Sequence, residues 1–253
     1  IRTYPENTNI NTNLEDVVDC PKDSLTIAFA GQSNNSNRIL RDEMITIQGK
    51  NTFMYDWFNG VCLRYKEPVI GTEGINYGHV ATDVIKNLRL TYNLNKEILI
   101  VALAKGGSTI NDWAEGDLKR RTDLVLSSLS KREIEIDYLL WHQGESRGDE
   151  DDKTTTKNYI SSLQKILDKI KLFNPKIKFG IAIASRCHDD ESSAIREAQS
   201  TVAEKNKEAY ITINTDLLDD SYRYDRCHFN SKGANVIGAK YADWIAEMQS
   251  SFY

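Results

Sequence analysis

The stretch "IAFAGQSNNSNRIL" (27–40) places one serine, Ser33, directly after an apolar run and a Gly-Gln pair. A serine there either caps a helix or is a nucleophile held at a strand end. Its hydroxyl attacks poorly unless a base takes the proton. His228 suits that task, because an unperturbed imidazole titrates near ~6.5. Asp225 stands three residues earlier in "YDRCHFNSKG", close enough for a single turn to bring its carboxylate to the ring, fix the tautomer and stabilise the imidazolium. Asn230 and Ser231 then suit the cap of a final helix, which would anchor the histidine at the helix entrance. An acyl-transfer intermediate also needs preorganised donors for its oxyanion. The N–H of Ser33, the N–H of Gly106 in "KGGSTINDW" and the side-chain amide of Gln143 in "WHQGES" are the candidates. A glycine at 106 lets the backbone approach a ligand closely.

Taken singly, each of these residues has an ordinary structural role. Ser33 alone would be a helix cap, and Gly106-Gly107 alone a turn. His79 and His188 have no acid in a matching turn, His142 packs beside the Gln143 motif, and Trp113 and Trp141 read as wall or core. The four-part conjunction, in order, points to serine-based acyl transfer.

The elements that must position these residues are legible as well. The runs "LTIAFA" (25–30), "EILIVALA" (97–104), "IDYLLWH" (136–142), "IKFGIAIAS" (177–185) and "AYITIN" (209–214) are short, β-branched and nearly continuous in hydrophobicity, as suits strands buried on both faces of a parallel sheet. Amphipathic segments near 78–93, 117–131, 154–172, 192–207 and 231–250 alternate with them. This alternation predicts a doubly wound α/β domain, a three-layer α/β/α sandwich. Ligands of such sheets bind beyond the carboxyl ends of the strands, and the candidate residues follow four of the five runs there. Residues 1–22 read as an N-terminal arm and 23–253 as a single domain. The weakly patterned stretch 41–77 is expected to be either a long excursion near the active edge or a surface hairpin.

Composition narrows the partners. With 32 basic against 37 acidic residues and no basic block, a nucleic-acid surface is not expected. No apolar run reaches the roughly 20 residues of a membrane span. The four cysteines, Cys20, Cys62, Cys187 and Cys227, form no CxxC pair and no zinc pattern. They leave two disulfides, one, or four free thiols open. No metal or other cofactor is expected, so chelation should leave activity unchanged. The compartment stays open, with the periplasm or the exterior favoured over the cytoplasm.

Together, "GQSN", "GGSTINDW", "WHQGES" and "DRCHFNSKG" resemble the sialate O-acetylesterase-like branch of the SGNH (GDSL-type) hydrolases, a carbohydrate esterase group, and "IREAQ" (195–199) is similar to a segment of that branch. The resemblance runs over about residues 25–245. It implies a sheet of five parallel strands, no metal, Ser33 as nucleophile, His228 as base and Asp225 as its partner. Gly106, with Gly107 beside it, and Gln143 would complete the oxyanion hole, and Glu145 would orient its loop. Gln32, Asn34, Glu145, Arg147 and Arg38 are the expected supporting or substrate-binding residues. The chain departs from the branch at Arg147, where an aspartate is common, and at Asn34-Asn35-Ser36-Asn37, where small or apolar residues are common. Both departures fall where substrate is expected. Three activities follow as expectations: removal of acetyl groups from a carbohydrate such as a sialic acid, transfer of acetyl groups to one through the same triad, or carbohydrate binding without catalysis. Arg38, Arg64 and Arg147 are candidates for holding a sugar carboxylate bidentately.

Overall fold

The protein's structure is a computed structural model that describes residues 17–45, 47, 51–146 and 152–250, without the side chains of 152–154. The strands are β1 (Val17–Val18), β2 (Ser24–Gly31), β3 (Thr52–Asp56), β4 (Val61–Arg64), β5 (Glu97–Ala102), β6 (Tyr138–His142), β7 (Lys178–Ile183) and β8 (Ala209–Asn214). The helices are α1 (Ala81–Leu90), α2 (Ile110–Ala114), α3 (Asp117–Ser130), α4 (Asp152–Phe173), α5 (Ser193–Lys205) and α6 (Ser231–Ser250).

One eight-stranded sheet runs in the order β1-β4-β3-β5-β2-β6-β7-β8. The five expected strands are β2 and β5 to β8, all parallel. Within 41–77, the stretch whose pattern leaves its structure undecided, β3 and β4 form a hairpin that joins the sheet. β3 is parallel to β5, and β4 is antiparallel to β3. The sheet is therefore wider than five strands. Its extension is short and closed by a tight turn, which is why periodicity over a long window does not find it. The end of the N-terminal arm is attached to this edge, since β1 pairs with β4 and Cys20 is disulfide-bonded to Cys62.

Alternation along each strand builds two cores. Ala28, Ala30, Val101 and Trp141 face α3, α4 and α5. Ile27, Phe29, Ile100 and Leu140 face α1 and α6. Trp113 and Trp141 are both buried in the first core, packed edge to face at 5.5 Å.

The topology decides where a site can form. β2 lies between β5 and β6, and successive crossovers leave it on opposite sides. Its carboxyl end is therefore the point where the strand order reverses and a crevice opens. Gly31 closes β2 with φ +109°, and a Cβ there would lie 2.1 Å from the His142 carbonyl, so only glycine lets the chain turn against β6. The Gly31 carbonyl accepts from Lys105 N at 2.9 Å, and Gln32 N donates to the His142 carbonyl at 2.7 Å. The residue after Gln32 is thus pinned between the loops that follow β5 and β6.

Candidate active site

Ser33 opens a single 3₁₀ turn, Ser33–Asn35, rather than capping a helix. The turn is held through main-chain carbonyls: Asn35 N donates to Gln32 O at 2.9 Å, and Ser36 donates to Ser33 O through its N–H at 2.9 Å and its hydroxyl at 2.7 Å. Among the described residues no hydrogen bond of this turn passes through the Ser33 hydroxyl. The four polar residues after it, which depart from the family pattern where substrate is expected, are turned into the protein. Asn34, Asn35, Ser36 and Asn37 are all buried and point inward as brackets. Asn35 Nδ2 donates to Ala30 O and Leu140 O, joining β2 to β6. Asn37 ties down the segment after β4, donating to Val69 O and Gly74 O. They are polar because the main-chain groups of a sharp turn buried under loops need partners. His79 belongs to the same scaffold. Burial lowers its pKa to about 3, and its neutral ring accepts from Ala81 N at Nδ1 and sits 3.0 Å from Asn35 O at Nε2.

The candidate base, His228, arrives from the far edge of the sheet. After β8, residues 215–230 return across the carboxyl ends of the strands. Arg223 holds this loop with its buried guanidinium, which donates to Leu218 O, Thr215 O and Cys227 O and covers the Phe229 ring. Asp225 Oδ2 lies 2.7 Å from His228 Nδ1, while Oδ1 accepts from Cys227 N at 3.0 Å and His228 N at 2.6 Å. Burial pushes the Asp225 carboxyl up, but the His228 ring and the two N–H groups outweigh it and leave its pKa below the usual value. Asn230 Oδ1 caps α6 by accepting from Lys232 N and Gly233 N.

Asn34 couples the two halves. Its Nδ2 donates to Cys227 O at 3.3 Å and to Glu145 Oε1 at 2.9 Å, and its Oδ1 accepts from Phe229 N at 3.3 Å. The residue after Ser33 is therefore bonded to both neighbours of His228. Glu145 also meets His142 Nε2 at 2.9 Å. Its burial raises the carboxyl pKa, yet the His142 ring and the Asn34 amide bring it net below the ordinary value. Tyr224 stacks on the His228 ring at 5.9 Å and on Tyr77 at 6.0 Å, lining one side of the site with aromatic faces.

Cys227, adjacent to His228, is bonded to Cys187 in the loop after β7. Cys187, His188 and Cys227 lie close enough for a metal, but the disulfide consumes both thiols. Replacing both cysteines by alanine is expected to lower stability by about 2–4 kcal/mol. It should reduce kcat more than it raises KM if His228 is the base, because its loop is no longer held. Chemical denaturation and steady-state kinetics on the double variant measure both effects, and an undiminished kcat would mean that Arg223 alone holds the loop.

The structure corrects the expectation for Gln143. Its amide nitrogen faces three protein oxygens, Gln32 Oε1 at 3.2 Å, Ser108 O at 3.1 Å and Ser146 O at 3.1 Å, so both N–H bonds are committed. Gln32 Oε1 in turn accepts from Gly144 N and Ser146 N. The two glutamines knit the loop after β6 rather than offer donors to a ligand. Gln199, within the "IREAQ" segment, extends the lattice by donating to Gln143 O and Ala184 O. Gln143→Glu, which turns a carboxylate on those three oxygens, is expected to lower folding stability by at least about 2 kcal/mol in urea denaturation. A variant as stable as the parent with only kcat reduced would return the amide to the oxyanion.

The remaining candidates fall in different places. Gly107 makes the turn after Gly106, with φ +66°, and a Cβ there would meet nothing within 4 Å. Arg38 is half-exposed beside Glu73. Arg64 pairs with Phe53 at the start of β3, away from the carboxyl ends of the strands, so it does not line the site. Arg147 lies outside the described residues. Spacing does not single out Glu73, whose carboxylate sits 2.6 Å from Gly106 N and 2.6 Å from Lys105 Nζ. The only sequence signal for it is an acid between two glycines, Gly71-Thr72-Glu73-Gly74, inside the unpatterned excursion.

A family model described as carbohydrate esterase, sialic acid-specific acetylesterase, matches residues 67–247. No curated protein sequence matches the chain. Among solved structures, an Arabidopsis thaliana protein superposes with a TM-score of 0.69 at 18% identity, covering 88% of this chain and 98% of that one. A carbohydrate esterase family 3 protein from Talaromyces cellulolyticus gives 0.56 at 11% identity, covering 90% and 99%. A lipase/acylhydrolase from Enterococcus faecalis gives 0.56 at 14% identity, covering 88% and 96%. At these identities the likeness is one of fold.

Proposed function

Because the chain belongs to the carbohydrate esterase family of sialic acid-specific acetylesterases, whose members are carboxylic ester hydrolases, we propose that it removes O-acetyl groups from a sugar through Ser33, His228 and Asp225. One observation carries this reading. The Asp225–His228 pair, 2.7 Å apart, is bonded through Asn34 to the turn that begins at Ser33. A serine, an imidazole and a carboxylate linked in this way at the reversal point of the sheet are the parts of an acyl-enzyme mechanism.

In the proposed reaction His228 Nε2 takes the Ser33 proton as the hydroxyl oxygen attacks the acetyl carbonyl. The N–H groups of Ser33 and Gly106 stabilise the oxyanion. Collapse breaks the bond to the sugar oxygen, which leaves with the proton from His228. Water, deprotonated by the same histidine, then releases acetate and restores Ser33. The half-exposed cations Lys105 and Arg38 at the mouth support an acidic sugar such as a sialic acid. The aromatic wall of Tyr77 and Tyr224 supports a flat sugar face beside the base. The two disulfides support an oxidising compartment, the periplasm or the cell exterior. Among the described residues no helix is long and apolar enough to cross a membrane.

The test is an assay with O-acetylated sialic acid, following both free acetate and acetylated acceptor in the presence of an unacetylated sugar. Acetate release that depends on Ser33 supports the hydrolase. Acetyl groups appearing on the acceptor sugar instead would make the protein a transferase, and no turnover of any acetyl ester would leave only binding.

A further inference from the structure

The main-chain donor assigned to the oxyanion is already occupied by the protein itself. Gly106 N–H donates to Glu73 Oε1 at 2.6 Å, and Lys105 Nζ donates to Glu73 Oε2 at 2.6 Å. The Arg38 guanidinium lies 3.8 Å from Oε1. A Cβ built on Gly106 would fall 2.0 Å from that same carboxylate oxygen and 3.3 Å from Ser33 Cβ. The carboxylate therefore lies beside Ser33, on the N–H that the oxyanion would use. Its side chain is only 10% exposed, whereas those of Lys105 and Arg38 are 41% and 39% exposed.

The main chain around Glu73 is fixed. Glu73 O accepts from Asn37 N at 3.1 Å, Thr72 Oγ1 donates to Ala104 O at 2.8 Å, and Gly74 O accepts from Asn37 Nδ2 at 2.9 Å. Only the side chain has rotamers to spend. A carboxylate oxygen on an oxyanion donor has the charge of the intermediate that the donor serves, so it competes with the ester carbonyl for the same N–H. If it leaves, two cations at the mouth lose their counter-charge. A ligand shifts such an equilibrium only by its differential affinity for the two states. A substrate carrying its own carboxylate has that differential affinity, because it replaces Glu73 on Lys105 and Arg38, and a neutral ester does not.

We propose that Glu73 closes the oxyanion hole of the free enzyme and is displaced when substrate binds, most readily by acetylated sugars that bring a carboxylate of their own to Lys105 and Arg38. The inference rests on the esterase reading above. It assigns the acidic-sugar preference to ion exchange at the catalytic centre, rather than to a separate carboxylate pocket.

The test compares Glu73→Ala and Glu73→Gln with the parent on p-nitrophenyl acetate, a neutral ester, and on an O-acetylated sialic acid. Removing the competing carboxylate is expected to raise kcat/KM for the neutral ester by roughly tenfold or more, the scale of one charge-assisted hydrogen bond. The value for the acidic sugar should rise by at least as much, because the cost of displacing Glu73 is lifted for both substrates while Lys105 and Arg38 still receive the sugar carboxylate. A fall on both substrates in a variant with an unchanged melting temperature would overturn the proposal, because Glu73 would then be a support for Gly106. A rise on the neutral ester alone would overturn it too, since displacing the carboxylate costs both substrates the same. Glu73→Gln keeps the side-chain volume and serves if the alanine variant fails to fold. Hydrolysis that vanishes with Ser33→Ala yet ignores both Glu73 variants defeats only this inference. Absence of hydrolysis in every protein defeats the esterase reading itself.

Discussion

Ser33→Ala is expected to abolish acetyl ester hydrolysis, lowering kcat by about 10⁴-fold or more while leaving the thermal midpoint in place. The two halves of this expectation come from different atoms. Activity is lost because the substitution removes the hydroxyl that the proposed mechanism has His228 deprotonate. The fold survives because the turn hangs on carbonyls and side chains of other residues. Gln32 O and Ser33 O close it, Asn35 bolts it to β2 and β6, and Asn34 links it to the base loop. Steady-state rates with p-nitrophenyl acetate, together with a melting curve, check both halves. A variant that keeps more than a few per cent of the rate would mean that another residue is the nucleophile. One that melts early would give the hydroxyl a structural role that no hydrogen bond of the turn implies.

Asp225→Asn is expected to lower kcat by about 10⁴-fold, the loss that a wrong histidine tautomer causes in serine proteases. The backbone dictates the direction of this error. Two main-chain N–H groups, of Cys227 and His228, already point at one oxygen of residue 225. An asparagine keeps those bonds only by turning its carbonyl oxygen to them, which aims its NH₂ at His228 Nδ1. That nitrogen must then accept, the ring proton moves to Nε2, and the base can no longer take the proton from Ser33. The same geometry sets a pH signature. The folded Asp225 carboxyl has a lowered pKa, held down by the His228 ring and the two N–H groups against its burial. A group of this kind contributes stability that is present above the unfolded value of about 3.9 and lost as pH falls through the folded one. The stability difference between parent and variant should therefore narrow as pH is taken from about 5 to below about 4. Melting curves across that range, set beside the rates, test the pair. An unchanged rate would pass the role to another acid of the returning loop, with Asp216 bonded instead to Ser185 and Arg186.

The sequence alone determined what is local or periodic. The five buried strands were legible because a strand covered on both faces must be apolar along its whole length, and the five long helices because an amphipathic face repeats on every turn. Asp225 and His228 were legible as a pair because three residues fit within one Asx-type turn, and Asn230 because a cap acts on the N–H groups of the next two or three residues. What only the tertiary structure decided concerns groups that meet from distant parts of the chain. The β3–β4 hairpin is too short for its period to stand out, and it becomes part of the sheet only through pairing with β5. Asn34 to Asn37 depart from the family pattern where substrate is expected, but the buried groups around a tight turn hold all four side chains. Gln143 is of the right type for an oxyanion donor, and only the positions of Ser108, Ser146 and Gln32, two of them on other loops, direct its amide elsewhere. The Cys187–Cys227 bond joins residues 40 apart and depends on how two loops cross the sheet edge. Glu73 reaches Gly106 from 33 residues away. No local pattern encodes such an encounter, because it is the sheet order, with β2 held between β5 and β6, that brings these loops to one edge.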